Sequence, residues 1–235
     1  MTSPVTSRIH PTAVLGPQVE LGERNVIGPF CVLQGPVRLG DDNFLSPHVV
    51  IGAAAEVAGL PFLPSWEDET EQGGVEIGSR NVLKELVSVN TGWHTVTRIG
   101  DDCLLMNGTY LAHDTQTEDR VTISSGVRVG GHSVLETDAT LGMGATVHQR
   151  RVVGAGAMVG MSAAVSRDVA PFTVARGVPA RSTRLNHHRL RALGVGEEHH
   201  DGLRAVVLEG SRDLTGLPDV LRTPIEAWWS RQADA

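Results

Sequence analysis

Three histidines in this chain stand where proton-transfer chemistry could be done: His113 in LAHD, His132 in GGH and His148 in VHQ. An imidazole changes charge near neutral pH, so its neutral form can take a proton from an attacking hydroxyl or ammonium. Asp114 follows His113 directly, and Gly131 precedes His132. A glycine there would let a ligand approach the main chain closely. Spacing ties the three rings together. His113 belongs to a six-residue unit starting at Leu111, His132 to one starting at Val129, and His148 to one starting at Val147. These starts differ by 18 residues, so an 18-residue coil would set all three on one face of consecutive coils. The same rings could instead fill turns or contacts between subunits.

The elements that would position them are written in an aliphatic period. Ile9, Leu15, Leu21, Ile27, Leu33, Leu39, Leu45 and Ile51 fall in steps of six. The phase resumes at Ile77, Leu83 and Val89, and then runs from Ile99 to Val165 with only Thr117 out of character. A six-residue period fits neither a 3.6-residue helix nor a hairpin array. It suits a short strand with one inward aliphatic, followed by a turn where Gly or Asn tolerates positive φ. Three units close a triangular 18-residue coil, and stacked coils form a parallel β-helix, each burying its aliphatics against its neighbours.

Composition agrees and excludes other classes. The chain has 235 residues, 27 of them glycine, and only 4% aromatic, as a narrow aliphatic prism requires. A net charge of −7, with Lys84 the only lysine, argues against a nucleic-acid surface. No apolar run reaches the roughly 18 residues of a membrane span. Cys31 and Cys103 have no CxxC spacing and read as small buried groups in a reducing compartment. With no signal-like start, the expected location is the cytoplasm.

Two stretches leave the period. Residues 53–76 carry Pro61, Pro64, Trp66 and an acidic cluster, and residues 90–98 form a shorter break. Insertions in a solenoid project from one face and often build its site, although either stretch could be a solvated loop. The repeat is expected to stop after Pro171. The β-helix domain with its insertions is therefore assigned to residues 1–184, and a short α-helical tail to 185–235. Trp228 and Trp229 are expected in core or interface.

The pattern resembles the hexapeptide-repeat acyltransferases with a left-handed β-helix, and within them the UDP-N-acetylglucosamine acyltransferases of lipid A biosynthesis. The stretches that carry the resemblance are IHPTAVLGPQVELGERNVIGPFCV, VEIGSRNVLKE, DDCLLMNGTYLAHDT, VRVGGHSVLE, GMGATVHQRRVVGAGAMVG and DVAPFTVARG, over roughly residues 9–194. It implies a homotrimer with sites between subunits. It also implies His113 as general base, Asp114 as its orienting partner, and the Gly131 N–H as an oxyanion donor. His132, His148 and Gln149 would line the substrate cleft. Met161 falls at the family's acyl-length position, where a thioether would shorten the slot. Asn186 matches a nucleotide-contacting residue.

Departures bear on the substrate. No lysine occurs in 53–76, and Asn90 stands where the family has a histidine. The acceptor is therefore expected to be a sugar, a nucleotide sugar, or another small alcohol or amine. ARGVPAR, residues 175–181, resembles the closing motif of acetyltransferases that use coenzyme A. Arg176 and Arg181 could pair with phosphates of coenzyme A or of a carrier protein's phosphopantetheine, and Arg150 and Arg151 could meet an acidic acyl carrier protein. The implied activity is transfer of a short or medium acyl group from such a thioester, which acts as co-substrate with no tightly bound cofactor. Acetylation from acetyl coenzyme A, or a catalytically silent binding scaffold, are the alternatives. Carbonic anhydrases of the same β-helix hold zinc with histidines five residues apart. Here those positions are Glu118 and Thr137, so no metal is expected.

Overall fold

The computed structural model describes residues 6–59 and 73–233. Strands of two to four residues recur once per unit, and each pairs in parallel with its counterpart one coil on, as in Val14–Leu15 with Val32–Leu33. The coils stack into three sheets of 10, 8 and 7 strands. Face one runs from Arg8–Ile9 to Arg181–Leu185, face two from Val14–Leu15 to Ala164–Val165, and face three from Val19–Leu21 to Val152–Val153. The fold is a parallel β-helix of triangular section.

Alternation within each short strand sends one side chain inward and one outward. The inward set is the six-residue phase: Ile27, Leu33, Leu45, Ile51, Leu83, Leu105, Leu111, Ile123, Leu135 and Leu141 are all buried. Thr117, the one break in the phase, lies in the same core, and its buried hydroxyl has no hydrogen-bond partner. Backbone groups are satisfied by the next coil, as in Val14 N–H to Cys31 O and Gly16 N–H to Leu33 O, both 2.8 Å. Both cysteines are free and buried, and burial pushes the Cys103 thiol up to about 11. Ile9, in the first described coil, is exposed.

Turns mark three edges. The edge between faces two and three carries both insertions. The first leaves Val50–Ala53 and returns at Val75–Ile77. Its residues 60–72, including Pro61, Pro64, Trp66 and the acidic cluster, lie outside the described residues. The second leaves Ser88–Asn90 and returns at Thr97–Ile99, so it is a loop of residues 91–96, shorter at both ends than the sequence break.

The six-residue signature ends after Pro171, but the sheet continues to Leu185, next to the 184/185 boundary expected between the β-helix and the helical tail. Thr173–Arg176 continues face one in parallel with Met158–Val159, and Arg181–Leu185 folds back on it antiparallel. The sheet therefore persists past Pro171 without the hexad signature, because its last strand is a hairpin arm rather than a coil segment. Three helices follow: α1 (His187–Ala192), α2 (His200–Glu209) and α3 (Asp219–Ala233). They cap the prism's end through Phe172, Leu185, Leu190, Leu203, Val206 and Leu221, with Trp228 and Trp229 packed against that cluster. Arg231 of α3 reaches down to Glu118 and Glu136. Among the described residues no helix is long and apolar enough to cross a membrane.

Candidate active site

His113 and Asp114 form the turn that joins Tyr110–Leu111 on face two to Gln116–Thr117 on face three. Asp114 takes a φ of 60° and His132, one coil on, a φ of 58°. The two occupy equivalent turn positions, which places the His132 ring over the Asp114 carboxylate. His113 sits one position earlier in its own turn, where the next coil has Gly131. The rings of His113 and His132 meet edge to face at 5.2 Å.

His113 Nδ1 lies 2.6 Å from Asp114 Oδ2, and the Asp114 side chain is wholly buried while His113 keeps 14% of its own exposed. The other carboxylate oxygen is gripped by the 91–96 loop. Asp114 Oδ1 accepts the N–H groups of Trp93 (3.1 Å), His94 (2.8 Å) and Thr95 (2.5 Å), and the Thr95 hydroxyl at 3.1 Å. Burial alone would push this carboxyl up; bonds from His113, the loop N–H groups and the Thr95 hydroxyl outweigh it and hold it at about 2. An ionised carboxylate only accepts, so in the neutral His113 ring the proton sits on Nδ1 and Nε2 carries the lone pair.

Gly131 permits this packing. A Cβ at that position would stand 2.7 Å from His113 Cε1 and 2.8 Å from Nε2, so any larger residue would displace the ring. Among the described hydrogen bonds, the Gly131 N–H donates none. Burial lowers the His132 imidazole, opposed by Asp114 and reinforced by Arg150, His113 and His94, so its neutral form is favoured.

His148 and Gln149 lie on the same edge one coil further, but His148 occupies the first turn position and stands exposed, with Nδ1 3.1 Å from the Gln149 carbonyl. The 18-residue spacing placed three histidines on one edge, and the phase within each unit brings only two together. Sequence reasoning missed His94, which stacks with His132 at 5.9 Å and lies tilted against Trp93 at 3.9 Å. Asn90 is buried and spends its side-chain amide on the Ala54 carbonyl at 2.8 Å.

Of the remaining expected residues, Met161 and Asn186 stand on the other two edges of the protomer, while Arg150 and Arg151 share the His113 edge. Met161, 71% exposed, belongs to the edge between faces one and two. Asn186 caps α1, accepting from Arg189 N and donating to Gly156 O at 2.9 Å, on the edge between faces three and one. Arg176 pairs in register with Arg181 in the terminal hairpin. Arg181 lines a cavity of about 420 Å³ with Arg151, Arg167, Asp168 and Trp228. Arg151 is 3.3 Å from Asp168, and Arg150 occupies the left-handed turn position above His132.

Three ligand-type side chains also converge at this edge. One ligand-type atom each from His113, Asp114 and His132 lies within 4.8 Å of the others, the two histidines coming from consecutive coils and Asp114 standing between them. His187 and His200 of the tail meet across α1 and α2, with rings 5.0 Å apart.

An imidazole held by a buried carboxylate stands on the edge of a stacked six-residue solenoid, and similarity to known proteins places that solenoid among the hexapeptide transferases. Residues 19–53 match the bacterial transferase hexapeptide (six repeats) model. An O-acyltransferase of Paraburkholderia xenovorans that is specified as acting from acyl-[acyl-carrier-protein] on UDP-N-acetylglucosamine is 37% identical over 214 residues, 85% of this chain and 81% of that one. The chain belongs to this UDP-N-acetylglucosamine O-acyltransferase family. A relative of the same description from Gloeothece citriformis is 35% identical over 52% of this chain, a match that spans about half (45%) of that relative's length. Among solved structures, the UDP-N-acetylglucosamine acyltransferase of Francisella novicida superposes with a TM-score of 0.74 over 97% of this chain and 87% of that one, at 22% identity.

Proposed function

We propose that the protein transfers an acyl group from a thioester donor to a hydroxyl of a nucleotide-sugar acceptor, with His113 as the general base. The observation that carries the reading is the His113–Asp114 pair, with Nδ1 committed to the carboxylate and Nε2 left with its lone pair. The acceptor hydroxyl gives its proton to Nε2 as its oxygen attacks the thioester carbonyl. The carbonyl oxygen becomes an oxyanion, for which the Gly131 N–H, uncommitted among the described hydrogen bonds, is the candidate donor. Collapse expels the thiolate, which takes the proton back from the imidazolium. Asp114 keeps the ring in one tautomer and balances its transient charge.

The site reads as one shared between protomers. Met161, Arg176 and Asn186 stand away from the His113 edge of their own chain, and a homotrimer that sets this edge against a neighbour would return them to it. Acyl carrier protein is the donor carrier favoured by the relatives' descriptions, with Arg150 and Arg151 as candidate contacts. Met161 would then limit the acyl chain to short or medium length.

The test is a donor and acceptor panel read by product mass. Acyl carrier protein and coenzyme A thioesters of graded length are each offered with UDP-N-acetylglucosamine. A singly acylated nucleotide sugar formed best from a short or medium carrier-protein thioester supports the reading. Transfer from coenzyme A alone would move the donor assignment, and the absence of product with every donor would reject the function.

A further inference from the structure

The 91–96 loop does more than hold Asp114. It springs from the same edge as His113, one coil earlier, and its backbone is tied down on all sides. Gly92 N–H donates to Gly74 O and Gly73 N–H to Gly92 O, both at 2.9 Å, while the Val96 carbonyl accepts from Gln116 Nε2 at 2.7 Å. A Cβ on Gly92 would fall 1.7 Å from the Thr95 carbonyl, so the tight turn requires glycine. Three successive N–H groups converge on Asp114 Oδ1, and this fixes where the two intervening side chains emerge. Trp93 emerges 38% exposed, with its ring edge-on to His113 at 6.1 Å and packed on His94. A large aromatic surface is thereby held open to solvent beside the base, on a loop with little freedom to withdraw it.

The surroundings say what such a surface would meet. An acyl chain asks for a closed apolar slot, but the Trp93 ring packs on His94 and meets His113 edge-on, with His132 stacked on the far side of His94. A flat aromatic face rimmed by imidazole donors and acceptors fits a pyranose, which offers a C–H face and a polar rim. We propose that the 91–96 loop is the acceptor-recognition wall, with Trp93 stacking on the sugar ring and His94 and His132 serving its hydroxyls. This rests on the reading of the His113 edge as the transfer site, and it assigns to the acceptor a loop that sequence alone left between a binding role and a solvated surface.

The experiment is calorimetric titration of UDP-N-acetylglucosamine into the full-length wild type, Trp93→Ala and Trp93→Phe, alongside KM values for acceptor and donor. Trp93→Ala is expected to weaken acceptor binding and raise acceptor KM by roughly three- to tenfold, the worth of one aromatic contact. Trp93→Phe recovers most of the loss, and donor KM stays within about twofold. Thermal melts of both variants separate a lost contact from a lost fold. An unchanged acceptor affinity in Trp93→Ala overturns the proposal, as does a change confined to donor KM or acyl-length preference. Calorimetry needs no turnover, so a failure of the base assignment shows in rates while the Trp93 result stands separately.

Discussion

Replacing Asp114 by Asn keeps the shape of the side chain and removes its charge, and the surrounding hydrogen bonds dictate how the amide must sit. Its oxygen must stay toward the loop, because turning the NH2 there would confront the three N–H groups that now converge on Oδ1. The NH2 therefore replaces Oδ2 and donates toward His113 Nδ1. Nδ1 must then carry the lone pair, the proton moves to Nε2, and the base loses its accepting atom. A general base contributes roughly 10²–10⁴ in rate, so kcat should fall by about 10² or more with acceptor KM within about threefold. Stability should change less. A carboxyl held at about 2 against 3.8 in the unfolded chain corresponds to at most about 2.5 kcal/mol, present above pH 3.8 and lost as pH falls through about 2. Initial rates at saturating donor, paired with urea unfolding at pH 7, measure both. A variant with kcat within about threefold of wild type would refute the tautomer assignment.

Other expectations concern the scaffold. Thr117→Val removes the orphaned hydroxyl from the core without changing its shape, and should raise stability by about 1 kcal/mol in chemical denaturation; a loss of stability would show that the hydroxyl has a partner. Glu136 is almost wholly buried, and burial pushes its carboxyl up to about 7, against the Ala155 N–H bond and Arg231. The folded state therefore holds a proton that the unfolded state releases between about 4.5 and 7, and stability falls as pH rises through that window. Glu136→Gln should stabilise the protein at pH 8 by up to about 3 kcal/mol and have little effect below pH 4.5, as read by melting at each pH; an equal effect at both pH values would contradict the assignment.

The solenoid was legible because its signal is periodic. One inward aliphatic per unit and a turn every six residues leave a phase that survives two insertions, and even the misfit at Thr117 predicted a core position. Edge assignment was legible for the same reason, since 18-residue spacing stacks turns. What it did not carry was the position within each turn. His132 stacks on Asp114 because both occupy the left-handed corner, whereas His148 falls two positions earlier in its turn and misses them. The loop of residues 91–96 has no period, so nothing in TGWHTV announced that its amides would fold over Asp114. A tryptophan and a histidine in a break one coil before LAHD were the available hint. The terminal hairpin was missed because Arg181–Leu185 pairs antiparallel, by a rule the hexad does not encode.

The most direct measurement is single-turnover acyl transfer to UDP-N-acetylglucosamine by His113→Ala, with size-exclusion mass analysis showing its assembly unchanged. A base at this position predicts a loss of roughly 10² or more in the transfer rate. A variant that transfers at the wild-type rate would contradict it.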